Sequence, residues 1–160
     1  MSNVFVTIRR ATLNDANQLL DIDIKCFETA WTVEEWSKVG HSQEYALSVA
    51  TNFGTPIGFA VFTKNEDSIE VVKLAVKPAY RRKGVSLLLL NAGVDYATSR
   101  NIGKLSIIVP ESTVYPGERN TSDWLASVGF QAEKPFLKNH FTSYGEPEDG
   151  VSFTMPTRRP

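Results

Sequence analysis

Arg81, Arg82 and Lys83 stand in a row, with Gly84 next and Ser86 two places on. They make the one dense basic cluster of the sequence, at the point where an apolar strand hands over to a long amphipathic helix. The first turn of a helix carries backbone N–H groups without partners, and the helix dipole makes that end positive. A phosphate group answers both. Gly84 lacks a Cβ, so the backbone there can approach an anion closely, and Ser86 is small and adds a hydroxyl. The residue types and their order therefore suit a phosphate or pyrophosphate. The plainer alternative is a solvated basic turn eased by one glycine. A nucleic-acid patch is a third reading, but neither aromatic interleaving nor a wider basic face accompanies the cluster. A strand before the cluster and a helix after it favour the phosphate reading.

Those flanking elements are legible in the apolar pattern. Val4 to Ile8 reads as a strand. Thr12 opens a helix, with Asp15 as capping-box partner, and Leu13, Ala16, Leu20, Ile24 and Phe27 fall on one face. A second short helix starts at Thr32 with Glu35 in the same capping role. Tyr45–Thr51, Pro56–Thr63 and Ile69–Val76 read as a three-stranded meander with turns at Asn52–Thr55 and Asn65–Asp67. Pro78 cannot donate to a ladder and ends the third strand. Arg82 to Asn101 reads as a long helix that lays Val85, Leu88, Leu89, Ala92 and Tyr96 on one face. Leu105–Val109 is the next strand. A helix capped by Asn120 or Thr121 stops at Gly129. A β region from Phe130, broken by a polar loop from Ser143 to Gly150, closes with Val151–Met155. The order is β-α-α-β-β-β-α-β-α-β-β. Its strand-helix-strand unit from Ile69 to Val109 requires two parallel strands.

The bulk composition excludes several classes. The chain has 160 residues, 42% of them apolar, enough for one domain with a core over 1–160. With 17 basic and 18 acidic side chains the net charge is −1, so nothing draws it generally to nucleic acid or to an anionic membrane. The single cysteine, Cys26, allows no internal disulfide and is compatible with a reducing compartment. Met1-Ser2-Asn3 begins neither a basic nor an apolar leader, and no apolar run reaches membrane length. The expected location is the cytoplasm. Two histidines and one cysteine at these separations make no metal site, and no nucleophile-elbow pattern occurs.

The stretch Val72-Lys73-Leu74-Ala75-Val76-Lys77-Pro78-Ala79-Tyr80-Arg81-Arg82-Lys83-Gly84-Val85-Ser86 resembles the signature of GNAT-superfamily acetyltransferases. In that signature an apolar-Ala-Val strand end is followed by Gln/Arg-x-x-Gly-x-Gly/Ala. Ser86 departs from the last place but remains small. Ile8–Thr12 with Asp15 resembles the family's opening strand and helix cap, and Trp124–Phe130 its helix with a Gly-Phe ending. Cys26–Thr32 is similar to the segment before the second helix in the ribosomal-protein alanine N-acetyltransferase subfamily. The resemblance implies an α/β acyl-CoA N-acyltransferase fold. Its mostly antiparallel central sheet holds one parallel strand-helix-strand unit, with helices on both faces.

It also implies acetyl-coenzyme A as cosubstrate, a primary amine as acceptor, and a monomer or homodimer without metal or nucleic acid. The backbone N–H groups of Arg81, Arg82, Lys83, Gly84, Val85 and Ser86 would hold the pyrophosphate. The backbone of Leu74 and Val76 would pair with the pantetheine arm as an added strand. The Leu74 N–H would face the acetyl oxygen. Counted back from Arg81, Glu70 falls where histone-type members carry a glutamate base. It is expected to alternate with Val72, Leu74 and Val76 on one face, among apolar neighbours, an environment that makes a carboxylate basic. The alternative for Glu70 is a solvated residue beside a turn. The ribosomal subfamily's acid tyrosine and its strand glutamate fall here on Leu125 and Ile108. Tyr115, in the long connection from Pro110 to Arg119, is the remaining candidate acid. Phe27, Glu28 and Trp31 at the helix junction, with His140, Phe141 and Tyr144 near the last hairpin, are candidates to line the acceptor site. Glu28 or Glu111 would suit a cationic amine, and Phe27 and Trp31 equally suit a core. A non-catalytic acyl-CoA sensor is the competing function.

Overall fold

The computed structural model describes residues 5–27, 30–110, 121–141 and 148–157. Strand β1 (Val6–Arg10) leads through a 3-10 turn, Leu13–Asp15, into helix α1 (Ala16–Cys26) and then α2 (Val33–His41). The meander follows as β2 (Tyr45–Asn52), β3 (Thr55–Asn65) and β4 (Ser68–Val76). A short turn, Pro78–Tyr80, precedes α3 (Val85–Ser99) and β5 (Lys104–Pro110). Helix α4 (Thr121–Ser127), β6 (Gln131–Phe141) and β7 (Glu148–Pro156) complete the expected element order. One seven-stranded sheet runs β1-β2-β3-β4-β5-β7-β6. All its pairings are antiparallel except β4 with β5, as the strand-helix-strand unit requires.

The sheet separates two cores. On one face α3 and α4 cover Phe62, Val71 and Leu105 with Leu89 and Leu125. On the other, α1 and α2 cover Val49, Phe59 and Val61 with Leu19, Ile22 and Val39. Both expected capping boxes form, Thr12 with Asp15 and Thr32 with Glu35. Gly129, at φ 110, closes α4 in the left-handed conformation.

Two helix faces differ from the periodicity reading. In α1 the buried residues are Leu19, Ile22 and Asp23, whereas Leu13 is 76% and Ile24 61% exposed. The cause is Asp23. A carboxylate reads as a solvent-facing residue, yet here it is paired inside the fold, and the whole stripe turns with it. In α3 the buried face is Val85, Leu89, Leu90, Gly93 and Ala97, and Leu88 points outward, 40% exposed. Gly93 sets this rotation: a Cβ there would lie 2.6 Å from the ring of Phe62. At that residue the helix lies so close to the Phe62 ring of β3 that there is no room for a side chain.

Asp15 anchors the β1–α1 corner. Arg9 donates to both of its oxygens, at 2.7 and 2.8 Å, and the Thr12 N–H adds a third bond at 2.7 Å. The Arg9 guanidinium, helped by Thr12, holds the Asp15 carboxyl well below its ordinary 3.8, at about 2, against the opposing effect of burial. A depressed carboxylate contributes stability above its unfolded value and loses it as pH falls through the folded value. The chain should therefore lose at most about 2 kcal/mol from this corner as pH falls from 3.8 to about 2. In Arg9→Met that loss should be largely absent. Urea midpoints across the window check this, and parallel pH profiles for the two proteins would refute it.

Candidate active site

The site begins where β4 and β5 part. Their pairing is confined to Ile69–Leu105, Glu70–Ser106 and Val71–Ile107. The closed end is pinned by the buried hydroxyls of Ser68 and Ser106, 2.9 Å apart. Beyond Val71 the register of β4 with β3 slips by one residue, so that Val72 is an extra residue in a bulge. Past this bulge β4 keeps β3 as its neighbour while β5 continues along β7.

The direction of the free backbone groups follows. Lys77 donates its N–H to the carbonyl of Ile57, at the head of β3. Groups alternate along a strand. Those of Ala75 and Lys73 therefore turn toward β3, and the N–H and C=O of Leu74 and Val76 turn into the opening. The Val76 carbonyl accepts there from Arg81 Nε at 3.0 Å and from Cys26 Sγ at 3.5 Å. Leu74 thus presents a backbone edge to the wedge, as a ligand adding itself as a strand requires.

The basic turn closes the wide end of the wedge. Arg81 donates its N–H to the Pro78 carbonyl at 3.3 Å, so its backbone is committed to the turn rather than to an anion. Its side chain reaches back to Val76 and, at 3.6 Å, to Cys26 Sγ. Arg82 has φ 64 and Gly84 φ 78, both left-handed. These turns start α3 at Val85, three residues later than the periodicity reading, with Gly84 as N-cap. Arg82, Lys83 and Gly84 are exposed, and Val85 is buried in the core. The arrangement puts a helix start behind three surface residues, Arg82 to Gly84, beside the wedge.

Glu70 lies at the closed end, level with Thr63 on β3 and Ser106 on β5. It is half-buried, and Asn65 Nδ2 donates to its carboxylate at 3.0 Å. The bulge changes its expected company. Val71 and Leu74 pack with the α3 core, and Val72 and Ala75 with the α1–α2 core. Glu70 and Val72 therefore share the α1–α2 face, while Leu74 and Val76 face the other way. The strict alternation expected from sequence fails because one inserted residue reverses the parity. Glu70 consequently looks toward the α1–α2 side rather than into an apolar row.

The α1–α2 junction holds what the sequence reading missed. Asp23, fully buried, pairs with Lys73 Nζ at 2.5 Å. The same carboxylate accepts from the Trp31 N–H and from Trp36 Nε1, each at 2.9 Å. The Lys73 ammonium also lies 4.6 Å from the ring centres of Phe27 and of Trp31, a cation–π arrangement. Burial pushes that ammonium below the ordinary 10.5, against the pull of Asp23. Phe27 and Trp31, expected to line an acceptor, thus clasp a lysine of this chain. The available signal was Lys73 inside an apolar strand. Leu125, where the ribosomal subfamily carries its tyrosine, is fully buried in the α3–α4 core. His140 and Phe141 lie on the edge strand β6. Tyr115, Glu28, Glu111 and Tyr144 lie outside the described residues. Among the described residues no group of three or more His, Cys, Asp or Glu side chains could hold a metal. No helix among them is long and apolar enough to cross a membrane.

Known folds agree with this geometry. The ribosomal-protein-S18-alanine N-acetyltransferase of Escherichia coli superposes with a TM-score of 0.80 at 20% identity, covering 98% of this chain and 96% of that one. NAA60 of Arabidopsis thaliana, solved with a bisubstrate analogue, gives 0.79 at 16% identity, covering 95% and 98%. Ard1 of Thermoplasma volcanium gives 0.78 at 17%, covering 96% and 99%. At such identities the likeness is one of fold. No curated protein sequence matches the chain. The model of the acetyltransferase (GNAT) family matches residues 16–115, which include the bulged β4, the basic turn and α3. The chain belongs to the acetyltransferase (GNAT) family.

Proposed function

We propose that this chain, as a single cytoplasmic domain, transfers an acetyl group from acetyl-coenzyme A to a primary amine. The acceptor is a protein N-terminus, a lysine or a small amine. The observation that carries the reading is the β4–β5 wedge, which opens beside the exposed start of α3. It supports a pantetheine arm laid along Leu74 and Val76 with its pyrophosphate on the N–H groups of Arg82 to Ser86. In that pose the Leu74 N–H faces the thioester oxygen and stabilises the charge that develops there.

The chemistry assigns the remaining roles. Only a neutral amine attacks a thioester, and a lysine titrates near about 10.4 where an α-amine titrates near about 8. A base is therefore required most for lysine acceptors. Glu70, on the acceptor face of β4 and held by Asn65, is the base. Glu70 first takes the proton of the ammonium, through water where the acceptor stands off; the neutral nitrogen then bonds to the acetyl carbon, the C–S bond breaks, and the second nitrogen proton leaves to solvent as the amide forms. Tyr115 supplies a proton to the leaving thiolate. Glu28, His140 and Tyr144 border the acceptor, and Phe27 and Trp31 contribute through their hold on Lys73.

The test is release of free coenzyme A across a panel of peptides with varied N-termini, a lysine peptide and polyamines. At least one acceptor should accelerate release, and Glu70→Gln should lower turnover by about 10²-fold or more while leaving acetyl-CoA binding intact. Binding without release for any acceptor would instead support a sensor of acyl-CoA, a reading that the apolar Leu125 favours. Full turnover of Glu70→Gln at every pH would remove Glu70 from the mechanism.

A further inference from the structure

The structure contains a second cavity, of about 840 Å³, away from the wedge. It lies between the start of α1, helix α2, the first residues of β2 and the last turn of α3. Neither Glu70, Leu74, Val76 nor any residue of the basic turn lines it. Its origin is plain in the topology. β1 stops at Arg10 opposite Ser48, so β2 extends three residues past its neighbour, and the chain leaves the sheet to begin α1. The volume falls within the range of small-molecule sites.

Two features define what would fill it. The first is unspent apolar surface. Leu13 and Val33, 76% and 64% exposed, stand on this cavity, and Leu20 and Trp36 line it further in. Covering such side chains is favourable by roughly 25 cal/mol per Å² of apolar area. The second is charge. The lining contains Arg10, His41 and Arg100 and no aspartate or glutamate. Arg9, next in sequence, is spent on Asp15, whereas neither Arg10 nor Arg100 has a carboxylate partner among the described residues. The Arg100 guanidinium rests 4.6 Å from the Tyr96 ring centre, which holds it at the cavity wall. Apolar walls with unpaired guanidinium groups match a ligand that is apolar along its body and anionic at one end.

We propose that this cavity binds a small amphipathic carboxylate, with the apolar body against Leu13, Leu20 and Val33 and the carboxylate between Arg10 and Arg100. Guanidinium groups are suited to carboxylates because their fork of donors matches the two oxygens. The site is independent of the acetyl-CoA reading, since no residue is shared.

Calorimetric titration with octanoate, octylamine and octanol tests it. Octanoate should bind saturably and octylamine should not, with octanol weaker than octanoate by about tenfold or more, since a charged hydrogen bond contributes about 1.5–3 kcal/mol. The double variant Arg10→Gln, Arg100→Gln should weaken octanoate to the level of octanol. Both arginines are exposed, so the fold should tolerate the change. Leu13→Glu, which places a carboxylate on the wall, should abolish octanoate binding, and Lys38→Gln, on α2 but outside the lining, should leave it unchanged. Octylamine binding as well as octanoate, no binding of either, or octanoate affinity unmoved in the double variant would each overturn the proposal. So would capture of an acidic peptide without any binding of free carboxylates.

Discussion

Asp23→Ala is expected to destabilise the chain by about 3–5 kcal/mol, a large share of the stability of an ordinary domain. Asp23 is fully buried and serves three partners at once: the Lys73 ammonium, the Trp31 N–H and the Trp36 indole. Removing it leaves three donors without an acceptor, one of them charged and only 9% exposed at the side chain. The Phe27 and Trp31 rings still face Lys73, but they replace only part of the lost interaction. The ammonium already sits below its ordinary range because of burial, and without the carboxylate it should shed its proton more readily still.

The physical cause separates this from a simple packing loss. Asp23→Leu combined with Lys73→Met removes both charges and should cost clearly less than the sum of the two single changes, although the Trp31 N–H and the Trp36 indole still lose their acceptor. Urea unfolding of the four proteins in the cycle measures the coupling. Additive losses, or an Asp23→Ala midpoint equal to that of the native chain, would show that the pair does not hold the junction. Because the pair ties α1 and the Trp31 segment to β4 beside the bulge, its loss should also reduce turnover in any active variant that still folds.

Gly84→Val is expected to act mainly on the cofactor. Gly84 has φ 78 and caps α3, and a Cβ there would meet nothing within 4 Å. The cost to the fold is therefore backbone strain, about 1–2 kcal/mol for a side chain held in the left-handed region and more for a branched one. The cost to binding is larger. A branched side chain stands beside the N–H groups that are proposed to hold pyrophosphate. Loss of one charge-assisted bond contributes about 1.5–3 kcal/mol, so acetyl-CoA affinity should fall about 10–100-fold. Calorimetric titration of acetyl-CoA measures it beside a thermal midpoint for the fold. An unchanged dissociation constant in a folded Gly84→Val protein would move the phosphate site elsewhere.

The two residues behind these predictions were not equally legible. Gly84 was visible because its conformation is local: the tight turn that opens α3 needs a left-handed residue, and a glycine stands there. Asp23 was not, since a carboxylate in an amphipathic helix reads as solvated. Its partner, Lys73, lies fifty residues away and is brought to it only by the sheet. The same distance hides the α1 face, which turns to bury Asp23 and exposes Leu13 and Ile24.

By itself, the order of residues determined the element sequence, both capping boxes, the parallel β4–β5 pair and the turn before α3. Each depends on neighbours within a few positions, on hydrophobic period or on the handedness of a crossover. Tertiary structure alone decided two things. The bulge at Val72 sends Glu70 and Leu74 to opposite faces, because register is a property of two strands. The α1–α2 aromatics close on Lys73, because burying an ammonium requires a carboxylate and rings that only the folded chain brings together.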